Sequence, residues 1–346
     1  MNRLRALGLG QPVLSQLSID DLPNLGRIVF ESHAHCTVAT DDGDVAAQLH
    51  PRLHDPSDRV VVGDWVVLDR TGDPTWIVRR LDRLRVLARR DPDRGIQVLC
   101  ANVDLALIAT ALDRDLNERR LERYLAVAAE AEVDVAIVLT KIDLAPDQVD
   151  AVVDGLRARA DLVLAVSAPT GVGIDAVRAA IPAGRTAALL GSSGVGKTTL
   201  INALAGTGFD TGAVRADDDR GRHTTTARRI VALPGGGCLI DNPGLRQVGP
   251  IGLDGVGAVF ADVEALAAAC RFRDCAHTTE PGCAIQDAIA SGALPEDRFE
   301  AWRKLAREVA FEARKLDAGA ARAERDRWKR RHRQHRERDA FRRRNE

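Results

Sequence analysis

Thr186-Ala187-Ala188-Leu189-Leu190-Gly191-Ser192-Ser193-Gly194-Val195-Gly196-Lys197-Thr198-Thr199-Leu200-Ile201-Asn202-Ala203-Leu204 is the stretch that decides the fold of this chain. It opens on an apolar run of strand length. Gly191 to Thr198 then satisfies G-x-x-x-x-G-K-[ST], and Thr199 leads into a helical pattern. A strand, a glycine-rich loop and a helix in direct succession make a phosphate cradle. The glycines let the backbone N–H groups of Ser192, Ser193, Gly194, Val195 and Gly196 curl round an anion, Lys197 neutralises β/γ oxygens, and Thr198 offers a hydroxyl to Mg²⁺. The positive end of the following helix points at the same anion. The bland alternative is a flexible glycine loop. The cradle implies a nucleoside triphosphate and says nothing about the base.

Upstream, Val103–Ala109, Val133–Leu139 and Leu162–Val166 read as buried strands, separated by helical stretches near 117–131 and 146–160. A further helix runs from about Gly173 to Pro182. This alternation predicts a mostly parallel, doubly wound α/β sheet. Thr140-Lys141-Ile142-Asp143 falls at the end of the second strand and Ser167-Ala168 at the end of the third. A carboxylate at Asp143 can accept from guanine N1–H and the 2-amino group, a donor pair that adenine lacks. The Lys141 stem can lie along the base, and the loop at Ser167-Ala168 can donate an N–H to guanine O6.

Downstream, Asp241-Asn242-Pro243-Gly244 closes the strand Cys238–Ile240. A D-x-x-G here can hold Mg²⁺ through water at Asp241 and sense a γ-phosphate at Gly244. Between the two lies Arg222-His223-Thr224-Thr225-Thr226, in which Thr225 is a candidate to complete Mg²⁺ coordination. A plain loop entering a strand is the alternative. Leu245 stands where many GTPases carry a water-orienting glutamine. An apolar side chain cannot orient water, so slow intrinsic hydrolysis is expected, with His223 a candidate within the chain to help. The order is informative: the base readers precede the phosphate loop, the reverse of ordinary small GTPases. Ligands of open α/β sheets bind at the carboxyl ends of the strands, so all four loops can still converge.

Residues 26–88 read as about five short strands, among them Arg27–Phe30, Cys36–Ala39, Val60–Val62 and Trp65–Leu68. They suit a small barrel such as an OB-fold, with a sandwich or an SH3-like barrel as alternatives. Cys270, Cys275, His277 and Cys283 supply three thiolates and one imidazole, the ligand set of a closed structural zinc site; a chance crowd of buried cysteines is the alternative. Cys36, Cys100 and Cys238 read as small buried hydrophobes. A long amphipathic helix starts at Pro295, with Phe299, Trp302, Leu305, Ala306 and Val309 on one side.

The chain is 45% apolar but only 3% aromatic, so its core is aliphatic. A net charge of −1 hides a tail, 320–346, carrying net +7. That tail can touch a polyanion or simply be solvated. No signal peptide or membrane span is evident, which makes a cytoplasmic location the expectation.

Taken together, these motifs resemble the RsgA (YjeQ) family of circularly permuted, ribosome-small-subunit-dependent GTPases. The resemblance spans roughly residues 25–315 and includes Val62-Gly63-Asp64-Trp65-Val66 in the barrel-like region. It implies an OB-fold-like barrel (26–90) after an N-terminal extension (1–25), a permuted GTPase domain (91–250), a mostly helical zinc-binding domain (251–318) and a basic tail (319–346). It further implies a monomeric late-maturation factor that binds the small ribosomal subunit and its rRNA and hydrolyses GTP to GDP there, with Mg²⁺ beside the nucleotide and one structural Zn²⁺. The family's base-reading motif usually begins with Asn. Thr140 stands there, and its hydroxyl can still anchor the loop. The rival readings are an ATP-using P-loop enzyme and an RNA-binding module that takes nucleotide as a structural ligand.

Overall fold

The computed structural model describes residues 2–31, 36–53, 59–91, 95–113, 116–206, 228–242, 249–250, 252–311 and 313–314. Two short helices, α1 (Asn2–Ala6) and α2 (Gln11–Leu14), lead into the strands β1 (Leu25–Glu31), β2 (Cys36–Ala39), β3 (Asp44–Leu49), β4 (Trp65–Asp69) and β5 (Thr75–Arg80). Their pairing runs β1-β2-β3-β5-β4, and β4 returns to β1. The sheet therefore closes on itself as an OB-like barrel, which removes the sandwich alternative. β3 and β5 are parallel, Ala47 facing Thr75, and the other pairings are antiparallel.

Period-two alternation decides what fills the barrel. Val66 and Leu68 of β4 point inward with Ile28, Val38, Ala47 and Ile77. Trp65 and Val67 point the other way, against Leu4, Leu7, Leu9 and Val13 of the N-terminal segment. Val60–Val62, expected as a strand, is not one. Asp64 Oδ2 accepts from the Val61 N–H at 2.8 Å and the Asp64 N–H donates to the Val61 carbonyl at 3.1 Å, which spends ladder groups on a local turn. The valines are buried all the same. Gly63 is required in that turn: its φ is +96°, and a Cβ would come within 2.1 Å of the Ala101 carbonyl oxygen.

A hairpin, β6 (Val86–Asp91) and β7 (Gly95–Ala101), forms its own two-stranded sheet. Next come β8 (Leu105–Ala111), α3 (Glu118–Glu130), β9 (Asp134–Thr140), α4 (Val149–Arg157), β10 (Leu162–Ala165), α5 (Ile174–Ala179), β11 (Thr186–Gly191), α6 (Lys197–Ala205), β12 (Arg228–Ala232), β13 (Cys238–Asp241) and α7 (Asp254–Val259). Strand order is β10-β9-β8-β11-β13-β12, parallel as far as β13, with β12 antiparallel. Helices cover both faces, which is why these strands read as continuous apolar runs. Ala106, Ile108, Ile137 and Leu190 pack with Leu121, Tyr124 and Leu125 of α3. Their neighbours Leu105, Leu107, Val138 and Leu189 pack with Val177 of α5 and Leu200, Ile201 and Leu204 of α6.

β12 also joins the barrel. A register shift in β1 between Ile28 and Phe30 bends the strand, so that Phe30 and Glu31 pair with Arg229 and Arg228. The junction is held from inside by Arg27, a fully buried cation. It donates to the carbonyls of Gly63 (3.2 Å), Asn102 (3.1 Å) and Leu7 and to Thr186 Oγ1 (2.9 Å), with Trp65 under its guanidinium. One side chain thus ties the N-terminal segment, the barrel and the first residue of β11 together.

Residues from Phe260 onward form a second compact unit. Its described part holds α8 (Ala261–Ala268), α9 (Ala284–Ala290) and α10 (296–311), and no strand. The helical segment expected near 255–268 is therefore two helices, α7 and α8. Phe299, Leu305 and Val309 on α10 are buried. Arg298 grips Asp262 with Nε at 2.5 Å and Nη2 at 2.8 Å, and Trp302 Nε1 donates to Glu264 at 2.9 Å. No described helix is long and apolar enough to cross a membrane. The tail from 320 lies outside the described residues.

Replacing Arg27 with leucine leaves three carbonyls and a hydroxyl without their buried donor, at about 1–3 kcal/mol for each unmet group. Urea denaturation of Arg27→Leu is expected to show a loss of at least about 3 kcal/mol, against total stabilities of about 5–15 kcal/mol. A loss under about 1 kcal/mol would remove Arg27 from this role.

Candidate nucleotide site and metal cluster

Because β8 to β11 and β13 run parallel, their carboxyl ends share one edge of the sheet. Strand order reverses between β8, whose chain continues outward to β9 and β10, and β11, whose neighbour is β13. Open α/β sheets bind ligands at such a switch point. The phosphate loop leaves β11 here, the Thr140–Asp143 loop leaves β9, the Ser167–Ala168 loop follows β10, and Asp241 ends β13.

The phosphate loop takes the shape its glycines permit. Gly191, Gly194 and Gly196 have φ of +150°, +84° and +96°, conformations that side chains with a Cβ avoid. A Cβ on Gly191 would also come within 2.8 Å of the Ala109 carbonyl oxygen. Val195 is buried and anchors the loop on the sheet, while Ser193 and Gly194 stay exposed. Lys197 begins α6 and is nine-tenths buried, its Nζ donating to the carbonyls of Gly191 (2.9 Å) and Ser192 (2.5 Å). Thr198 and Thr199 are exposed in the first turn of α6.

Thr140, the residue that departs from the usual asparagine, is buried. Its hydroxyl donates to the Val195 carbonyl at 2.7 Å and also lies 3.3 Å from the Thr110 carbonyl. One side chain therefore joins the base-reading loop to the middle of the phosphate loop. The Ile142 N–H reaches the Val166 carbonyl at 3.4 Å, which brings in the end of β10. Asp143 sits exposed in the 3₁₀ turn 142–144. Ser167 is buried and donates its N–H to Val172 at 3.0 Å; its hydroxyl has no hydrogen-bond partner among the described residues. Ala168 beside it is half-buried. Lys141 adopts a left-handed φ of +59°, and its Nζ pairs with Asp113 at 2.9 Å.

Asp241 is about one-quarter exposed at the end of β13. Burial pushes its carboxyl pKa up, opposed by the charges of Arg229, 3.9 Å away, and Lys197. Burial of an acid favours its neutral form, and a cation placed beside it would favour the carboxylate. Asn242, whose side chain carries no expected role, is fully buried: its Nδ2 contacts Cys100 Sγ at 3.7 Å and its Oδ1 has no partner among the described residues. His223, Thr225, Gly244 and Leu245 lie outside the described residues. Of the isolated cysteines, Cys100 and Cys238 are buried as expected, but Cys36, on the barrel strand β2, is only half-buried.

In the second unit, the ligand atoms of Cys270, Cys275, His277 and Cys283 all lie within 4.8 Å of one another. Cys270 Sγ is 3.9 Å from Cys283 Sγ, and His277 Nδ1 is 3.5 Å from the first sulfur and 3.6 Å from the second. A tetrahedral ion with metal–sulfur bonds of about 2.3 Å and metal–nitrogen bonds of about 2.0 Å needs edges of about 3.8 Å and about 3.5 Å. The donor set therefore fits such an ion. Its surroundings are organised too. The His277 ring meets Phe299 and Trp302 edge-on, and its carbonyl accepts from Gln286 at 2.8 Å. Glu280 accepts from the N–H groups of Ala276, Thr278 and Thr279. Backbone hydrogen bonds from Thr278 first, then from its own backbone and Ala276, pull its carboxyl pKa down to about 2.

The RsgA GTPase family profile matches residues 80–250. A protein of Streptomyces coelicolor, the small ribosomal subunit biogenesis GTPase RsgA, is 46% identical over 315 residues, covering 88% of this chain and 86% of its own. The chain belongs to the RsgA GTPase family. Two solved structures share the fold: YjeQ from Thermotoga maritima (TM-score 0.61, 24% identity, 83% of this chain and 98% of that one) and YloQ, a circularly permuted GTPase (TM-score 0.56, 20% identity, 83% and 94%). The permuted order read from the motifs is thus the order of the family's fold.

Sequence reasoning missed the polar partners of the site. Arg229 and Asp113 belong to no motif, and only the pairing of β12 with β13 and of β8 with β9 brings them in. Thr140→Val keeps the shape and removes the hydroxyl. With one hydrogen bond worth about 1 kcal/mol, GDP affinity measured by calorimetry is expected to fall about fivefold. An unchanged affinity would mean that the two loops hold their places without it.

Proposed function

We propose that this chain is a GTPase of the cytoplasm that docks on the small ribosomal subunit late in its maturation and hydrolyses GTP to GDP and phosphate, with hydrolysis stimulated by the ribosome. The observation that carries the reading is the Thr140–Val195 hydrogen bond, which brings a base-reading loop against a phosphate loop despite their reversed order along the chain. Support for the partner comes from the Streptomyces relative, which is named for small-subunit biogenesis.

In this reading the N–H groups of Ser192 to Gly196 and the Lys197 ammonium hold the β- and γ-phosphates, and electrostatic stabilisation of the transferring phosphoryl group follows from their fixed geometry. Asp143 accepts from N1–H and the 2-amino group of guanine, Lys141 lies along the base, and the loop at Ser167-Ala168 donates to O6. Thr198 and Asp241 hold Mg²⁺, which when bound with nucleotide neutralises charge on the phosphates. Gly244 and Thr225 sense the γ-phosphate. Leu245 cannot orient water, so the free protein turns over slowly, and His223 or the docked ribosome supplies what is missing. The barrel contacts rRNA through one face, as OB-folds do, with the tail adding salt-dependent affinity. The Cys270/Cys275/His277/Cys283 set holds one structural Zn²⁺, which adds folding free energy to the second unit.

Phosphate release is expected to be slow for the free protein and at least about tenfold faster with small subunits. Lys197→Ala is expected to abolish it in both conditions. A fast free rate, or no response to subunits, would contradict the reading. A chelator that strips zinc is expected to release one equivalent of metal and melt the Phe260–Val309 helices, read by circular dichroism. Helicity unchanged after full release would make the ion dispensable to the fold.

A further inference from the structure

The geometry points to Asp113 as a positioning residue of the guanine site: its carboxylate holds the Lys141 side chain in place to receive a purine. This rests on the guanine-site reading above and adds a residue that lies in no nucleotide motif.

Lys141 leaves β9 in the left-handed conformation, at φ +59°. Such a residue starts its side chain in a direction set by the turn and not by the strand. The Lys141 stem has four rotatable carbons and, left alone, samples many rotamers in water. A base that packs on the stem must first order it, and that ordering opposes binding. Asp113 does the ordering in advance, with its Oδ2 2.9 Å from Lys141 Nζ.

The placement of Asp113 follows from the sheet. β8 and β9 are parallel neighbours with Ala111 facing Thr140, and the Leu112 N–H extends the ladder by donating to the Thr140 carbonyl at 2.9 Å. Two strand ends locked in register release Asp113 and Lys141 side by side. The same Thr140 fixes the phosphate loop through its hydroxyl. The ion pair, the phosphate loop and the base-reading turn are therefore referred to one residue.

Exposure separates this role from a structural one. The two side chains are 33% and 32% exposed. An ion pair this open to water contributes little to folding, so removing it leaves the chain folded. It is nonetheless open to a ligand arriving at the sheet edge. Asp113 also has an opposing effect to weigh. A carboxylate near a phosphate site repels the nucleotide, so deleting its charge alone would tighten binding. Pinning and repulsion thus predict opposite signs.

The experiment is a double-mutant cycle read by titration calorimetry with GDP on the full-length chain, with ADP as the control. In the native background, Asp113→Asn is expected to weaken GDP about three- to fivefold, the size of an exposed ion pair converted to affinity. Asp113→Glu is expected to recover most of that loss. In a Lys141→Ala background, Asp113→Asn is expected to change GDP affinity by less than about 1.5-fold, because nothing remains to be pinned. Equal weakening in both backgrounds, or tightening in the native background, overturns the proposal. If the unaltered protein binds ADP as well as GDP, the guanine-site reading itself fails, and this proposal with it.

Discussion

One hydroxyl sets the geometry of the candidate nucleotide site. Thr140 Oγ1, buried at the end of β9, donates to Val195 in the middle of the phosphate loop. The parallel sheet alone places the loops on one edge, but an edge spans several strands, about 4.8 Å apart. Loops of six or eight residues have room there to miss one another. A buried bond between the base-reading loop and the phosphate loop removes that freedom. It also explains how a threonine serves where the family usually carries asparagine, since the anchoring needs one donor at the right height and a hydroxyl supplies it.

The circular permutation makes this contact more informative than it would be in an ordinary GTPase. Val195 follows Thr140 by 55 residues, and the base readers are made before the phosphate loop exists. What survives the reordering is the spatial order of strands, not their succession in the chain. Through β12, the strand that carries Arg229 beside Asp241 also pairs with β1 of the barrel. Asp241 is thus two strands from β1 of the barrel.

Much of this was legible in the sequence, because the readable features are local. The phosphate loop needs its residues at fixed spacing, and buried parallel strands have to be apolar on both faces. The Cys/His crowd within fourteen residues brings its ligands together at 4.8 Å or less with little help from the rest of the chain. What could not be read is what depends on partners remote in sequence. β3 and β5 alternate weakly, as Asp44-Val45-Ala46-Ala47-Gln48-Leu49 shows, and only closure of the barrel makes them strands. Val60–Val62 has the composition of a strand, but Asp64 captures its backbone in a turn. Arg27 looks like an ordinary strand cation until Thr186, 159 residues away, arrives to accept from it. Asn242 shows no signal at all, since its burial against Cys100 is a consequence of where the β6–β7 hairpin comes to rest.

The central claim, that Asp143 reads guanine at the pocket made by the Lys197 loop, is tested most directly by exchanging its acceptor for a donor. Asp143→Asn replaces one carboxylate oxygen with an amide that can donate to a 2-oxo group. The account predicts that the variant loses GDP affinity by about a hundredfold or more while binding xanthosine diphosphate more tightly than the unaltered protein does. Undiminished GDP binding by Asp143→Asn would contradict it.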